Sequence, residues 1–152
     1  MAAATLSSGA LKRAASSVPT GACDCHIHVY GPRDQYALAP TSPFSPPLAT
    51  PQDYRSVMGE LGIERAVLVQ AAGYGIDNHC MLDALDTLGD CARGIATVTL
   101  DTPDAELDRL TRAGVRGARV LLFPGGLVAL DEIPALAARI LVDNPAERYG
   151  FT

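Results

Sequence analysis

The chain has 152 residues, 48% of them hydrophobic and 19% charged, with 12 Lys and Arg against 17 Asp and Glu for a net charge of −5. That is enough chain to bury one core and too apolar for a disordered or fibrous protein. No basic stripe is interleaved with aromatics, which argues against nucleic acid as a partner, and no apolar run nears the roughly 18 residues that would span a membrane. The first twenty residues, MAAATLSSGALKRAASSVPT, lack the continuous apolar stretch of a secretory signal and read as a flexible tail ahead of one domain at 21–152. Cys23, Cys25, Cys80 and Cys91 form neither a CxxC pair nor a disulfide framework. Free thiols fit a reducing, cytoplasmic setting.

Along the chain, Ala22–Tyr30 (ACDCHIHVY) alternates as a strand does, and the Pro-rich run after it cannot be a regular element. Thr50, Pro51 and Asp53 predict a capped helix that runs to Leu61 and stops at Gly62. Glu64–Gln70 (ERAVLVQ) reads as a strand buried on both faces, as parallel sheets require. From Asp77, a candidate N-cap, Met81, Leu82, Leu85 and Leu88 share one helical face that Gly89 ends. Arg93–Leu100 is strand-like, Thr102-Pro103 opens a helix through Ala113, and Val115–Phe123 begins a fourth strand. In the remaining tail Leu136, Ile140 and Leu141 make one helical face before Asn144-Pro145. Strand and helix alternation predicts an α/β fold with about four parallel strands, outer helices and a C-terminal helical segment.

Strand alternation puts Asp24, His26 and His28 on one face and Cys23, Cys25 and Ile27 on the other. Two imidazoles at a strand end can ligate a divalent metal, or can hold and polarise a substrate carbonyl. They can equally be hydrogen-bonded strand histidines. Arg119, in the fourth strand, has the fork that clamps a carboxylate, with a structural ion pair as the plainer alternative. Arg116 falls on the opposite face and reads as structural. Gln70 and Tyr74, at and after the end of the second strand, occupy positions where substrate contacts or loop packing are both expected. His79 reads as a capping residue and Asp83, Asp86 and Asp90 as a solvated helix face. Gly125-Gly126 lacks the Lys-Ser/Thr of a phosphate loop.

The segments DCHIHVYG, ERAVLVQ, RGIATVT and GVRGARVLLFPGG, in that order over about residues 21–128, resemble the amidohydrolase-related family of 2-pyrone-4,6-dicarboxylate lactonase and galactarolactone isomerase, and ILVDNPAERYGF is similar to that family's C-terminal end. The resemblance implies a (β/α)8 barrel with its active site at the C-terminal ends of the strands. It further implies that His26 and His28 act on the substrate, that Arg119 holds a carboxylate, and that members near these lactonases need no metal. More distant relatives hold zinc through the same pair.

About 130 residues supply four of the eight strands of such a barrel, so the fold expected is a partial (β/α)8 barrel without the late-strand aspartate that a complete member uses to activate water. Three functional readings follow. In the first, the chain hydrolyses a small carboxylated lactone, with a pyrone dicarboxylate or a sugar-acid lactone as substrate. In the second, it is an inactive or partner-dependent fragment whose open edge is covered by self-association or by a partner chain. In the third, it is a zinc-dependent amidohydrolase or decarboxylase using His26 and His28 as metal ligands.

Overall fold

Strands and helices alternate through residues 18–42, 44–121 and 130–138, the residues that a computed structural model of the chain describes. Strands β1 (Cys23–Ile27), β2 (Arg65–Val69), β3 (Ala92–Thr97) and β4 (Val115–Arg119) form one sheet in the order β1-β2-β3-β4, with every neighbouring pair parallel. Parallel neighbours need a crossover, and helices α1 (Pro51–Leu61), α2 (His79–Leu88) and α3 (Asp104–Arg112) supply the three that this order requires. A short helix, α4 (Ile133–Ala138), follows. This is the partial barrel that the alternation anticipates.

The helices start where their caps dictate. Thr50 Oγ1 accepts from the Asp53 N–H at 3.1 Å and Asp53 Oδ2 accepts from the Thr50 N–H at 3.0 Å, a reciprocal box that satisfies two groups the helix cannot pair internally. Gly62, at φ 73°, then turns the chain out of α1 in the left-handed conformation that glycine adopts without strain. At α2 the expectation needs correcting: the N-cap is Asn78 rather than Asp77. Asp77 still serves the helix start, its Oδ1 accepting from the His79 N–H at 3.0 Å. The side chain of Asn78 is committed elsewhere, as the site below shows.

Helix α2 anchors the sheet. It buries Cys80, Met81, Leu82, Ala84, Leu85 and Leu88, whereas α1 buries Met58 and α3 buries Leu110. Each large apolar side chain taken out of water stabilises by about 1.5–3 kcal/mol, so α2 carries the greatest share of the helix-to-sheet packing. Ala66, Leu68, Ala92 and Ala96 face it from β2 and β3. Gly94 lies on the same side, and a Cβ there would come within 2.7 Å of Leu85 Cδ1 and 3.1 Å of Val115 Cγ2, so the absence of a side chain is what admits α2 this close to the strand. The opposite face, which would line a barrel, carries Val67, Ile95 and Gly117.

The strands are shorter than the apolar runs suggest. β1 ends at Ile27, because the chain leaves the sheet and Tyr30 pairs with Ala49 in an isolated antiparallel bridge, N–H to O at 2.8 Å and 2.9 Å in the two directions. The bridge closes the Pro-rich loop that the sequence leaves irregular. β1 is also not a simple alternation: its register against β2 runs Asp24↔Ala66 and then Ile27↔Leu68, one extra residue in β1. Such a bulge reverses the face assignment of what precedes it. The consequence corrects the expected grouping, because Asp24 turns to the helix layer, where its Oδ2 accepts from the Tyr54 O–H of α1 at 2.9 Å. Ile27 packs on the helix-side core, and His26 and His28 share the other face.

Several expectations fall outside the described residues: most of the N-terminal tail, the end of the fourth strand at Phe123, Gly125-Gly126, and Ile140, Leu141 and the segment after them. Leu136, the described member of that last helical face, is buried at 3% exposure.

Candidate active site

The C-terminal ends of β1, β2 and β4 bring three of the expected residues together. The rings of His26 and His28 stand edge to face, 5.0 Å between centroids and 80° between planes. His28 Nδ1 lies 2.8 Å from the carbonyl oxygen of Val69, and Arg119 Nη1 donates to the carbonyl oxygen of Gln70 at 2.6 Å. Two successive carbonyls at the end of β2 therefore hold an imidazole from the β1 side and a guanidinium from β4.

This arrangement fixes the chemistry of His28. A carbonyl oxygen only accepts, so Nδ1 carries the hydrogen and Nε2 of the neutral ring is left as an acceptor. Burial is the largest influence on the ring, and with the charge of Arg119 it outweighs the Val69 contact and holds His28 below its ordinary value of 6.5. At neutral pH His28 is thus an uncharged base with one committed hydrogen. His26 is more exposed, and its ring makes no hydrogen bond among the described residues.

Gln70 and Tyr74 are placed differently. Gln70 is fully buried, and its Nε2 donates to the carbonyl oxygen of Asp77 at 2.7 Å, so the backbone of this residue, not its side chain, meets Arg119. Tyr74 is 3% exposed and its hydroxyl accepts from the Gly31 N–H at 3.0 Å. Burial and the Cys80 thiol push Tyr74 up to about 12. Both side chains build the wall beneath the site. The residue that composition does not flag is Asn78: its Oδ1 accepts from the Thr97 N–H at 3.0 Å and its Nδ2 donates to the Thr97 carbonyl at 3.0 Å. A side-chain amide thereby extends the hydrogen bonding of β3 at the residue whose register partner is Arg119.

Whether these residues suit a metal is decided by the donor set. Zinc in proteins takes three or four protein ligands, and among the described residues no three His, Cys, Asp or Glu side chains converge. The carboxylate nearest in sequence, Asp24, is turned to Tyr54, and the charge of Arg119 acts on His28. The described residues alone do not make a metal centre. Likewise, among the described residues no helix is long and apolar enough to cross a membrane.

A parallel β/α sheet with two histidines and an arginine gathered at its strand ends has the layout of (β/α)-barrel proteins, whose sites sit at the C-terminal ends of the strands. The match to known families agrees with that class, covering residues 23–135 with the amidohydrolase family. The chain belongs to the amidohydrolase family. It is 41% identical over 126 residues to a 2-pyrone-4,6-dicarboxylate hydrolase of Comamonas testosteroni, a match that covers 81% of this chain and 41% of that protein. It is 36% identical to a D-galactarolactone isomerase of Agrobacterium fabrum, with 80% and 41% covered. Among solved structures it is similar to an apo protein of Agrobacterium tumefaciens, with a TM-score of 0.71 and 35% identity over 80% of this chain and 44% of the other. The chain thus spans about two-fifths of the length of the curated relatives it matches.

Proposed function

We propose that the chain binds a small carboxylated lactone at the C-terminal ends of its strands and promotes its hydrolysis. The observation that carries this reading is the pairing at the end of β2, where a neutral imidazole and a guanidinium are held on adjacent carbonyls. A guanidinium with one N–H committed keeps others to fork onto a carboxylate, which positions the ester beside the histidines. His26 donates to the lactone carbonyl, and the Nε2 of His28 accepts a proton from the attacking water. Oxygen of water bonds to the carbonyl carbon, the ring C–O bond breaks, and the proton held by His28 passes to the departing ring oxygen. The new carboxyl group releases water's second proton to solvent, so a carboxylate and a freed hydroxyl remain on one molecule. Gln70 and Tyr74 fix the wall against which Arg119 and the loop rest.

This reading routes no step through a metal, because Arg119 and His26 supply the positive charge and the hydrogen bond that the carbonyl and carboxylate need. It is tested by following the ring-opening of 2-pyrone-4,6-dicarboxylate in the presence of a chelator, with Arg119→Lys and His28→Ala beside the unaltered chain. The expected result is chelator-insensitive hydrolysis, a KM raised by about tenfold or more in Arg119→Lys where the bidentate fork is lost, and a kcat reduced by about 10²–10⁴ in His28→Ala. Rates equal in all three proteins would remove the site assignment.

A second reading is favoured by the exposure of His26 and the half-exposed inner face of Val67 and Ile95: activity requires a second copy or partner chain over that face. Light scattering at increasing concentration, read beside the specific activity, separates the two, since a fully active monomer needs no such cover.

A further inference from the structure

A side chain interrupts the ladder between β2 and β3. In a parallel pair, a residue that faces the neighbouring strand donates its N–H to one carbonyl there and accepts from the N–H two residues further on. Gln70, the first residue after β2, makes the first half of that pattern, its N–H donating to the Ile95 carbonyl at 2.8 Å. The second half would be the Thr97 N–H donating to the Gln70 carbonyl. That N–H donates instead to Asn78 Oδ1 at 3.0 Å, and Asn78 Nδ2 donates to the Thr97 carbonyl at 3.0 Å. The Asn78 amide thus stands where β2 would otherwise continue along β3.

The displacement leaves the Gln70 carbonyl to another donor, and that donor is Arg119, whose Nη1 lies 2.6 Å from it. Arg119 is the register partner of Thr97 on β4, so its guanidinium crosses β3 to reach an oxygen at the end of β2. Gln70, Asn78 and Thr97 are all buried, and buried backbone groups are paired in folded proteins. Gln70 Nε2 also donates to the Asp77 carbonyl at 2.7 Å, which fixes the residue before Asn78. We propose that Asn78 is a positioning residue for Arg119: by occupying the Thr97 N–H it reserves the Gln70 carbonyl for the guanidinium, and so sets the fork that receives the substrate carboxylate. This rests on the reading of the site as a lactone site. Asn78 acts through Gln70 and Arg119 and touches no substrate itself. Without its amide, the Thr97 N–H competes for the Gln70 oxygen and the guanidinium loses its seat.

The test measures KM and kcat for the ring-opening of 2-pyrone-4,6-dicarboxylate by the full chain, Asn78→Ala, Arg119→Lys and the double variant, with kcat taken per folded molecule from circular dichroism. The expected result for Asn78→Ala is a KM raised by about tenfold, the size of one charge-assisted hydrogen bond, with kcat within about twofold. Because both changes act on one guanidinium, Asn78→Ala adds less than about twofold to the KM of Arg119→Lys. An unchanged KM, a loss confined to kcat, or two KM increases that multiply in the double variant overturns this proposal and leaves the lactone site standing. Should Asn78→Ala not fold, nuclear magnetic resonance couplings across hydrogen bonds decide in the unaltered chain. A coupling from the Thr97 amide nitrogen to the Asn78 side-chain carbonyl carbon supports the proposal, and one to the Gln70 carbonyl carbon overturns it. If the unaltered chain does not open the dicarboxylate, the lactone reading and this proposal fall together.

Discussion

Replacing Asn78 by alanine tests the link between α2 and the strand end that faces Arg119. Asn78 is 7% exposed, and its amide satisfies both the N–H and the carbonyl of Thr97. Alanine leaves two buried backbone groups without a partner, each worth about 1–3 kcal/mol. Some of that is recovered if water enters the vacated space, so the expected loss is about 2–4 kcal/mol. With a urea dependence of about 2 kcal/mol per molar for a domain of this size, the midpoint falls by about 1–2 M. The assay is urea unfolding followed by circular dichroism. Asn78→Asp sharpens it, because a carboxylate still accepts from the Thr97 N–H but confronts the Thr97 carbonyl with a second acceptor. Protonation restores a donor, so the carboxyl is raised in the folded state, and the stability of this variant is full at low pH and lost as pH rises through that raised value. A midpoint within about 0.3 M of the unaltered chain for Asn78→Ala, or a pH-independent Asn78→Asp, would refute the clamp.

Three further outcomes follow from the packing and the site. Gly94→Ala places a methyl 2.7 Å from Leu85 Cδ1 and 3.1 Å from Val115 Cγ2, so it forces α2 away and lowers unfolding stability by about 1–3 kcal/mol, measured by the same urea titration. Thr50→Ala removes one half of the α1 capping box and costs about 1 kcal/mol, which a thermal melt resolves as a drop of a few degrees. His28 is held below its ordinary 6.5 chiefly by burial, so the unfolded chain binds the proton first as pH falls. Its stabilising effect is complete above about 6.5 and declines as pH drops through the lowered folded value. Urea midpoints measured from pH 7.5 to pH 5 should fall, with a shallower slope in His28→Asn.

The alternation of elements was legible because each signal is local. Thr50, Pro51 and Asp53 mark the start of α1, and the Leu and Met spacing of α2 marks the face that it buries. The pair His26 and His28, and Arg119, were legible because few side chains do that chemistry and the segments around them resemble a known family. What escaped were effects of contact between distant segments. The partner that an amide at position 78 finds at Thr97 cannot be read from Asp77-Asn78, where both residues are good caps. Strand ends were overextended for the same reason: Tyr30 reads as part of β1 until its pairing with Ala49 is known.

The bulge between Asp24 and Ile27 makes the contents of the site depend on residue count rather than residue type. Deleting Cys25 would remove the bulge and leave Asp24 two residues before Ile27, which regular alternation keeps on the same helix-side face, so the contact with Tyr54 would survive a strand one residue shorter. The extra residue is what lets Asp24 serve the helix layer while His26 and His28 face the mouth, although all three stand at alternate positions in the sequence.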